Sequence, residues 1–110
     1  MSKSKISTTS QEFKDNKAFH EGLLAQLREV EAKAEQGGGT DARKKHEERG
    51  KLFARARIAE LIDQGSTFLE LSKLAGHELY EESVPSAGVI TGIGVVHGRE
   101  VMIVANDATV

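Results

Sequence analysis

The chain has 110 residues, with 15 Lys+Arg against 17 Asp+Glu, a formal net charge of −2 and no cysteine. The near-balance gives no overall basic field for nucleic acid, and the lack of cysteine removes disulfides, thiolate chemistry and thiolate-bound zinc together. No apolar run approaches ~20 residues, so no membrane-spanning helix is expected, and the polar start lacks the apolar core of a secretory signal.

Residues 1–10 are rich in Ser, Thr and Lys and are expected to fray. From residue 11 to 36 the pattern is helical. Phe19, Leu23, Leu27, Val30 and Ala34 form one stripe, widened by Leu24, while Glu21, Arg28, Glu29, Glu31 and Lys33 lie mostly off it. Such an amphipathic helix is expected to face a core or another subunit. A membrane-surface helix would carry a more basic polar face. Gly37-Gly38-Gly39 then reads as a stop and flexible linker; no Gly-Lys-Ser/Thr follows, so it is not a P-loop.

Thr40 is placed to cap a second, almost wholly polar helix that begins with Asp41 and stops at Gly50. Leu52-Phe53 reads as an apolar anchor. Residues 54–63 read as a short helix with Ile58, Leu61 and Ile62 on one face, ended by Gly65. Lys and Arg crowd residues 43–57, opposed only by Glu47 and Glu48. That run is either a solvated helix face or an anion site, and Arg suits bidentate phosphate contacts. No aromatic residue is interleaved with it as single-stranded nucleic acid would require, apart from the anchor Phe53.

Residues 67–71, T-F-L-E-L, suggest a short strand. His20, His46, His77 and His97 have no metal-like spacing. Gly88, Gly92 and Gly94 interrupt an apolar strand, which predicts close backbone approach rather than a dinucleotide fingerprint. The runs before and after His97-Gly98 are rich in β-branched residues, and that dipeptide fits a two-residue hairpin loop. Val95-Val96 and residues 101–105 are nearly continuously apolar, so the hairpin is expected to be covered on both faces. Nothing else in the chain is large enough to do that, so the expectation is the beginning of a larger domain. Asn106-Asp107 reads as a turn at the strand end. No nucleophile–base pair stands out, and the residues alone specify an α/β fold without a reaction.

The run G-G-G-T-D-A-R-K-K-H-E-E-R-G-K-L-F-A-R-A-R-I-A-E-L-I-D-Q-G-S-T-F-L-E-L-S and the later G-V-I-T-G-I-G-V-V-H-G-R-E-V-M-I-V-A-N-D-A-T-V resemble, in that order, the carboxyltransferase (beta) subunits of biotin-dependent acyl-CoA carboxylases. F-L-E-L-S-K-L-A-G and I-T-G-I-G with A-N-D-A-T-V are most similar to the methylcrotonoyl-CoA branch; the propionyl-CoA and geranyl-CoA branches are the alternatives. Two positions depart from the family pattern D-P-G-S-P-F, where this chain has Gln64 and Thr67.

The resemblance implies the beginning of a crotonase-like spiral of ββα units, preceded by the amphipathic N-terminal helix. The implied division is 1–36 for tail and helix, and 37–110 for the truncated start of the carboxyltransferase N-terminal domain. The implied reaction moves a carboxyl group from carboxybiotin to 3-methylcrotonoyl-CoA, in leucine degradation. Biotin rides on a partner alpha subunit that also holds the ATP-dependent biotin carboxylase, and carboxyltransferase subunits form homo-oligomers. The implied location is cytoplasmic, or the mitochondrial matrix in a eukaryote. The catalytic backbone donors of the family lie beyond Val110, so no catalytic residue is placed here, and the piece alone is expected to be inactive. Arg55 and Arg57 match the two arginines of the family's A-R-E-R-I motif, with Ala56 replacing the glutamate, and are the candidates for the CoA phosphates. Two residues apart on a helix, they point about 200° from each other, so both are not expected to face one ligand. A non-enzymatic helix/hairpin assembly module is the alternative of another class, and an anion-binding protein using residues 43–57 is a third.

Overall fold

The computed structural model describes residues 2–110. Its elements run α1 (Gln11–Glu35), α2 (Thr40–Glu48), α3 (Ala54–Leu61), β1 (Leu69–Leu71), β2 (Val89–Val96) and β3 (Arg99–Asn106), with a short 3-10 turn at Pro85–Gly88. The chain divides into two units, one ending at Val30 and the other Glu31–Val110.

The first unit is most of α1. Of the leader, Met1 lies outside the described residues and 2–9 are exposed without regular structure before the turn at 8–10. The Ser10 hydroxyl accepts the Phe13 amide at 3.2 Å, an N-cap that satisfies one of the orphan donors of the first turn. The expected stripe is present, but within this chain Phe19, Leu23, Leu24 and Leu27 remain exposed. The expectation of a covered core face is met only at the helix end, where Ala34 of the second unit is buried.

The second unit is a three-stranded antiparallel sheet in the order β1-β2-β3, with α3 on one face. Ala54 and Ile58 of α3 pack with Ile90 and Ile103, and Ile62 and Phe68 close the cluster. A fully buried isoleucine contributes about 1.5–3 kcal/mol, so this small cluster is the main apolar stabilisation of the sheet. Gly92 and Gly94 are where that packing needs them. A Cβ at Gly92 would collide with Phe68 and the Leu69 carbonyl, and one at Gly94 would crowd Ile62 and Ile103. The anchor divides: Phe53 is buried, whereas Leu52 is exposed. Leu61, expected on the inner face of α3, is exposed too.

The hairpin forms where expected. His97 (φ 52°) and Gly98 (φ 73°) both adopt the left-handed conformation that a type I′ loop demands. Asp63 holds that loop: its two carboxylate oxygens accept the His97 and Gly98 amides at 2.7 Å each. The Asp63 amide in turn donates to the Val95 carbonyl at 2.7 Å.

As expected, the described residues do not supply a second cover: the sheet is covered on one face only. Leu69, Met102 and Val104 share the opposite face and are 59%, 61% and 66% exposed, because no second layer is formed by the described residues. The triple glycine stops α1 but is not a flexible linker. Gly37 takes φ +59° and its amide bonds the Ala34 carbonyl, while the Gly38 amide bonds the Thr109 hydroxyl at 3.0 Å. A Cβ on Gly38 would overlap the Thr109 carbonyl, so the glycines form a close-packed backbone joint. Gly39, rather than Thr40, is the N-cap of α2, and no side chain caps that helix.

Candidate functional site

The basic run is sorted by what each cation touches. Arg43 donates from Nε to Glu47 at 2.9 Å and its guanidinium lies 4.5 Å from the centre of the Phe53 ring, so it serves packing. Lys44 makes only an exposed contact with Glu48 at 4.0 Å, a pair worth little. Arg55 forms a bidentate pair with Glu70, at 2.5 Å and 2.9 Å, with side chains 20% and 9% exposed. Among the described residues Lys45, Arg49, Lys51 and Arg57 make no ion pair.

Two of those four line one cavity. It has a volume of about 590 Å³ and is bounded by His46, Lys51, Leu52, Arg57, Asn106 and Ala108, with Gly50 and Ala54 completing the wall. The loop after α2 brings Lys51 and Leu52, α3 brings Arg57, and the end of β3 brings Asn106. The His46 Nε2 lies 3.1 Å from the Leu52 carbonyl oxygen. A carbonyl only accepts, so this nitrogen carries the proton and Nδ1 is left as the second site of the ring. No Asp or Glu is among the lining residues, so the wall presents Lys51 and Arg57 without an opposing carboxylate. Such a wall suits an anion with bidentate oxygens.

The structure therefore separates the two candidate arginines. Arg57 faces the cavity; Arg55 is held on the other flank of α3 by Glu70. The pair continues into a network: Lys73 stands 3.9 Å from Glu70 and donates to Glu35 at 2.8 Å. The hydrogen bond from Lys73 lowers the Glu35 carboxyl below its ordinary range, and the same bond raises the Lys73 ammonium above its own. The Arg55 Nε is buried without a partner, a cost the bidentate pair must offset.

No group of three His, Asp or Glu capable of holding a metal occurs among the described residues. Among the described residues the His77 ring pairs with its neighbour Glu78, at 3.7 Å. No helix among the described residues is long and apolar enough to cross a membrane. Sequence reasoning missed Asp107 as a structural group. It is buried, and one carboxylate oxygen accepts both the Thr109 amide at 3.0 Å and the Thr109 hydroxyl at 2.6 Å. An Asp two residues before a Thr at a strand end was the available signal.

The cavity is thus lined by cations and lies at the edge of a mixed helix–sheet layer. The carboxyl transferase domain matches residues 45–110, and the chain belongs to that family. It is 52% identical over 105 residues to the methylcrotonoyl-CoA carboxylase beta chain, mitochondrial, of Arabidopsis thaliana, covering 96% of this chain and 18% of that one. Among solved structures, the P. aeruginosa geranyl-CoA carboxylase beta subunit superposes with a TM-score of 0.86 at 34% identity, over 99% of this chain and 20% of that one. A transcarboxylase 12S hexamer solved with methylmalonyl-coenzyme A bound gives a TM-score of 0.74 at 36% identity, over 82% of this chain and 18% of that one. The chain thus spans about a fifth of the length of the relatives it matches.

Proposed function

We propose that this chain forms the start of the carboxyltransferase subunit of a biotin-dependent acyl-CoA carboxylase that moves a carboxyl group from carboxybiotin to 3-methylcrotonoyl-CoA. The observation that carries this reading is the 52% identity to a methylcrotonoyl-CoA carboxylase beta chain, against 34% to a geranyl-CoA carboxylase subunit. On this reading residues 37–110 begin a crotonase-like spiral domain, with residues 1–36 leading into it. Biotin arrives on a partner alpha subunit that also carries the ATP-dependent carboxylase, and several carboxyltransferase subunits assemble together. A eukaryotic source would place it in the mitochondrial matrix; the name of the plant relative calls that protein mitochondrial.

The role of this piece is to bind and orient rather than to react. The CoA phosphates enter the cavity against Arg57 and Lys51, with His46 beside them. Arg55 serves the ion pair with Glu70 and does not contact the ligand. Removing a charge-assisted hydrogen bond costs about 1.5–3 kcal/mol, so Arg57→Ala in the complete subunit should raise KM for the acyl-CoA on the order of tenfold or more. Arg55→Ala should lower stability, on the order of 3 kcal/mol, by removing the bidentate partner of Glu70.

The test is the complete subunit assembled with its biotin-carrying partner, supplied with bicarbonate, ATP and competing acyl-CoA esters. 3-Methylcrotonoyl-CoA should be carboxylated with the highest kcat/KM. A preference for propionyl-CoA or geranyl-CoA would reassign the branch, and no carboxylation of any ester would overturn the reading.

A further inference from the structure

α3 has eight residues and no side-chain cap at either end. A helix so short has no stability of its own, so its rotation about its axis is set by what it touches. Its inner seam, Ala54 and Ile58, packs on Ile90 and Ile103. That seam is an alanine and an isoleucine, whose packing is non-directional and makes no hydrogen bond. The specific lateral contact is Arg55, which grips both oxygens of Glu70 on β1. Residues 55 and 57 are separated by about 200° around the helix. Holding Arg55 against β1 on one flank therefore turns Arg57 out on the other, into the cavity. Glu70 is itself steadied from the far side by Lys73, whose ammonium is fixed by Glu35.

We propose that Glu70 is a positioning residue for anion recognition: through Arg55 it fixes the rotation of α3 and so aims Arg57 at the phosphates of the acyl-CoA. This rests on the reading of the cavity given above, and it adds a residue that touches neither ligand nor cavity wall.

The test compares two substrates of the complete, partner-assembled subunit: 3-methylcrotonoyl-CoA and the phosphate-free 3-methylcrotonoyl pantetheine thioester. Glu70→Gln should raise KM for the CoA ester on the order of fivefold to tenfold, as one weakened charge-assisted contact does. It should leave kcat within about twofold and the pantetheine KM unchanged. Glu70→Asp, which keeps the charge but shortens the reach, should fall between. A general structural defect would shift both esters alike, and that result overturns the proposal. So does an unchanged KM for both esters in a variant whose melting temperature shows it folded. Should Glu70→Gln fail to fold, Arg55→Lys is read in the same way, since lysine keeps the charge but cannot make the bidentate grip. Arg57→Ala separates the two claims. If it leaves the ratio of the two KM values unchanged, the phosphate site itself is wrong; if it changes the ratio while Glu70→Gln does not, only the positioning role falls.

Discussion

Both carboxylate oxygens of Asp63 accept backbone amides of the hairpin loop, and the Gly98 and then the His97 amide hold its carboxyl below the ordinary range. A carboxyl depressed in the folded state stabilises fully above its unfolded value, about 3.9, and that contribution is lost as pH falls through the folded value. Protection of the His97 and Gly98 amides from hydrogen exchange should therefore be constant, after correction for intrinsic rates, from neutrality down to about pH 5 and decline below it. In Asp63→Asn, which cannot accept both amides equally, protection should already be lower at neutral pH and the acid decline should vanish. A decline that persists in the variant would assign it to another group. At the joint between the glycines and Thr109, Gly38→Ala must push the Thr109 carbonyl aside, and overpacking of this kind costs about 1–3 kcal/mol. Thermal melts should show that loss for Gly38→Ala and almost none for Gly22→Ala, where nothing lies within 4 Å of the added methyl and helix propensity favours alanine.

The elements divide into those that periodicity specifies and those that contacts specify. α1 and the β2–β3 hairpin were legible because a stripe of period near four and a His-Gly between β-branched runs each have one local solution. The close approach of backbone at Gly92 and Gly94 was legible for the same reason. The linker reading of residues 37–39 failed because glycine is equally at home in a flexible chain and in a crowded joint, and only the distant Thr109 decides between them. The face of α3 was read with Leu61 inside; the helix ends at that residue, and its side chain is exposed. Ile58→Ala removes the centre of the small core and should cost about 2–5 kcal/mol, whereas Leu61→Ala should cost less than about 0.5 kcal/mol. Equal losses in denaturant titrations would mean that α3 packs in another rotation.

At the scale of the whole molecule, the chain spans about a fifth of the length of the relatives it matches. The uncovered sheet face then has a measurable meaning for the 110-residue protein by itself. Leu69, Met102 and Val104 present a contiguous apolar surface next to the unpaired edge of β3, which invites association. The chain alone should bind a hydrophobic dye and self-associate as its concentration rises. Met102→Lys with Val104→Lys should suppress both without lowering the melting temperature by more than a few degrees. A monomer that excludes the dye would show that the face is covered within the chain. The sequence revealed the family and the hairpin, and it offered two arginines for the proposed anion contact. It could not choose between them, because Glu70 and Arg55 are 15 residues apart and meet only when β1 is laid beside α3.

The bond between the Gly38 amide and the Thr109 hydroxyl joins positions 71 residues apart. A growing polypeptide cannot make it until Thr109 has left the ribosome, so the joint at the glycines closes only after the hairpin is complete. A premature stop anywhere in the hairpin would leave the two glycines with nothing to clasp. Thr109 thus governs when that joint closes.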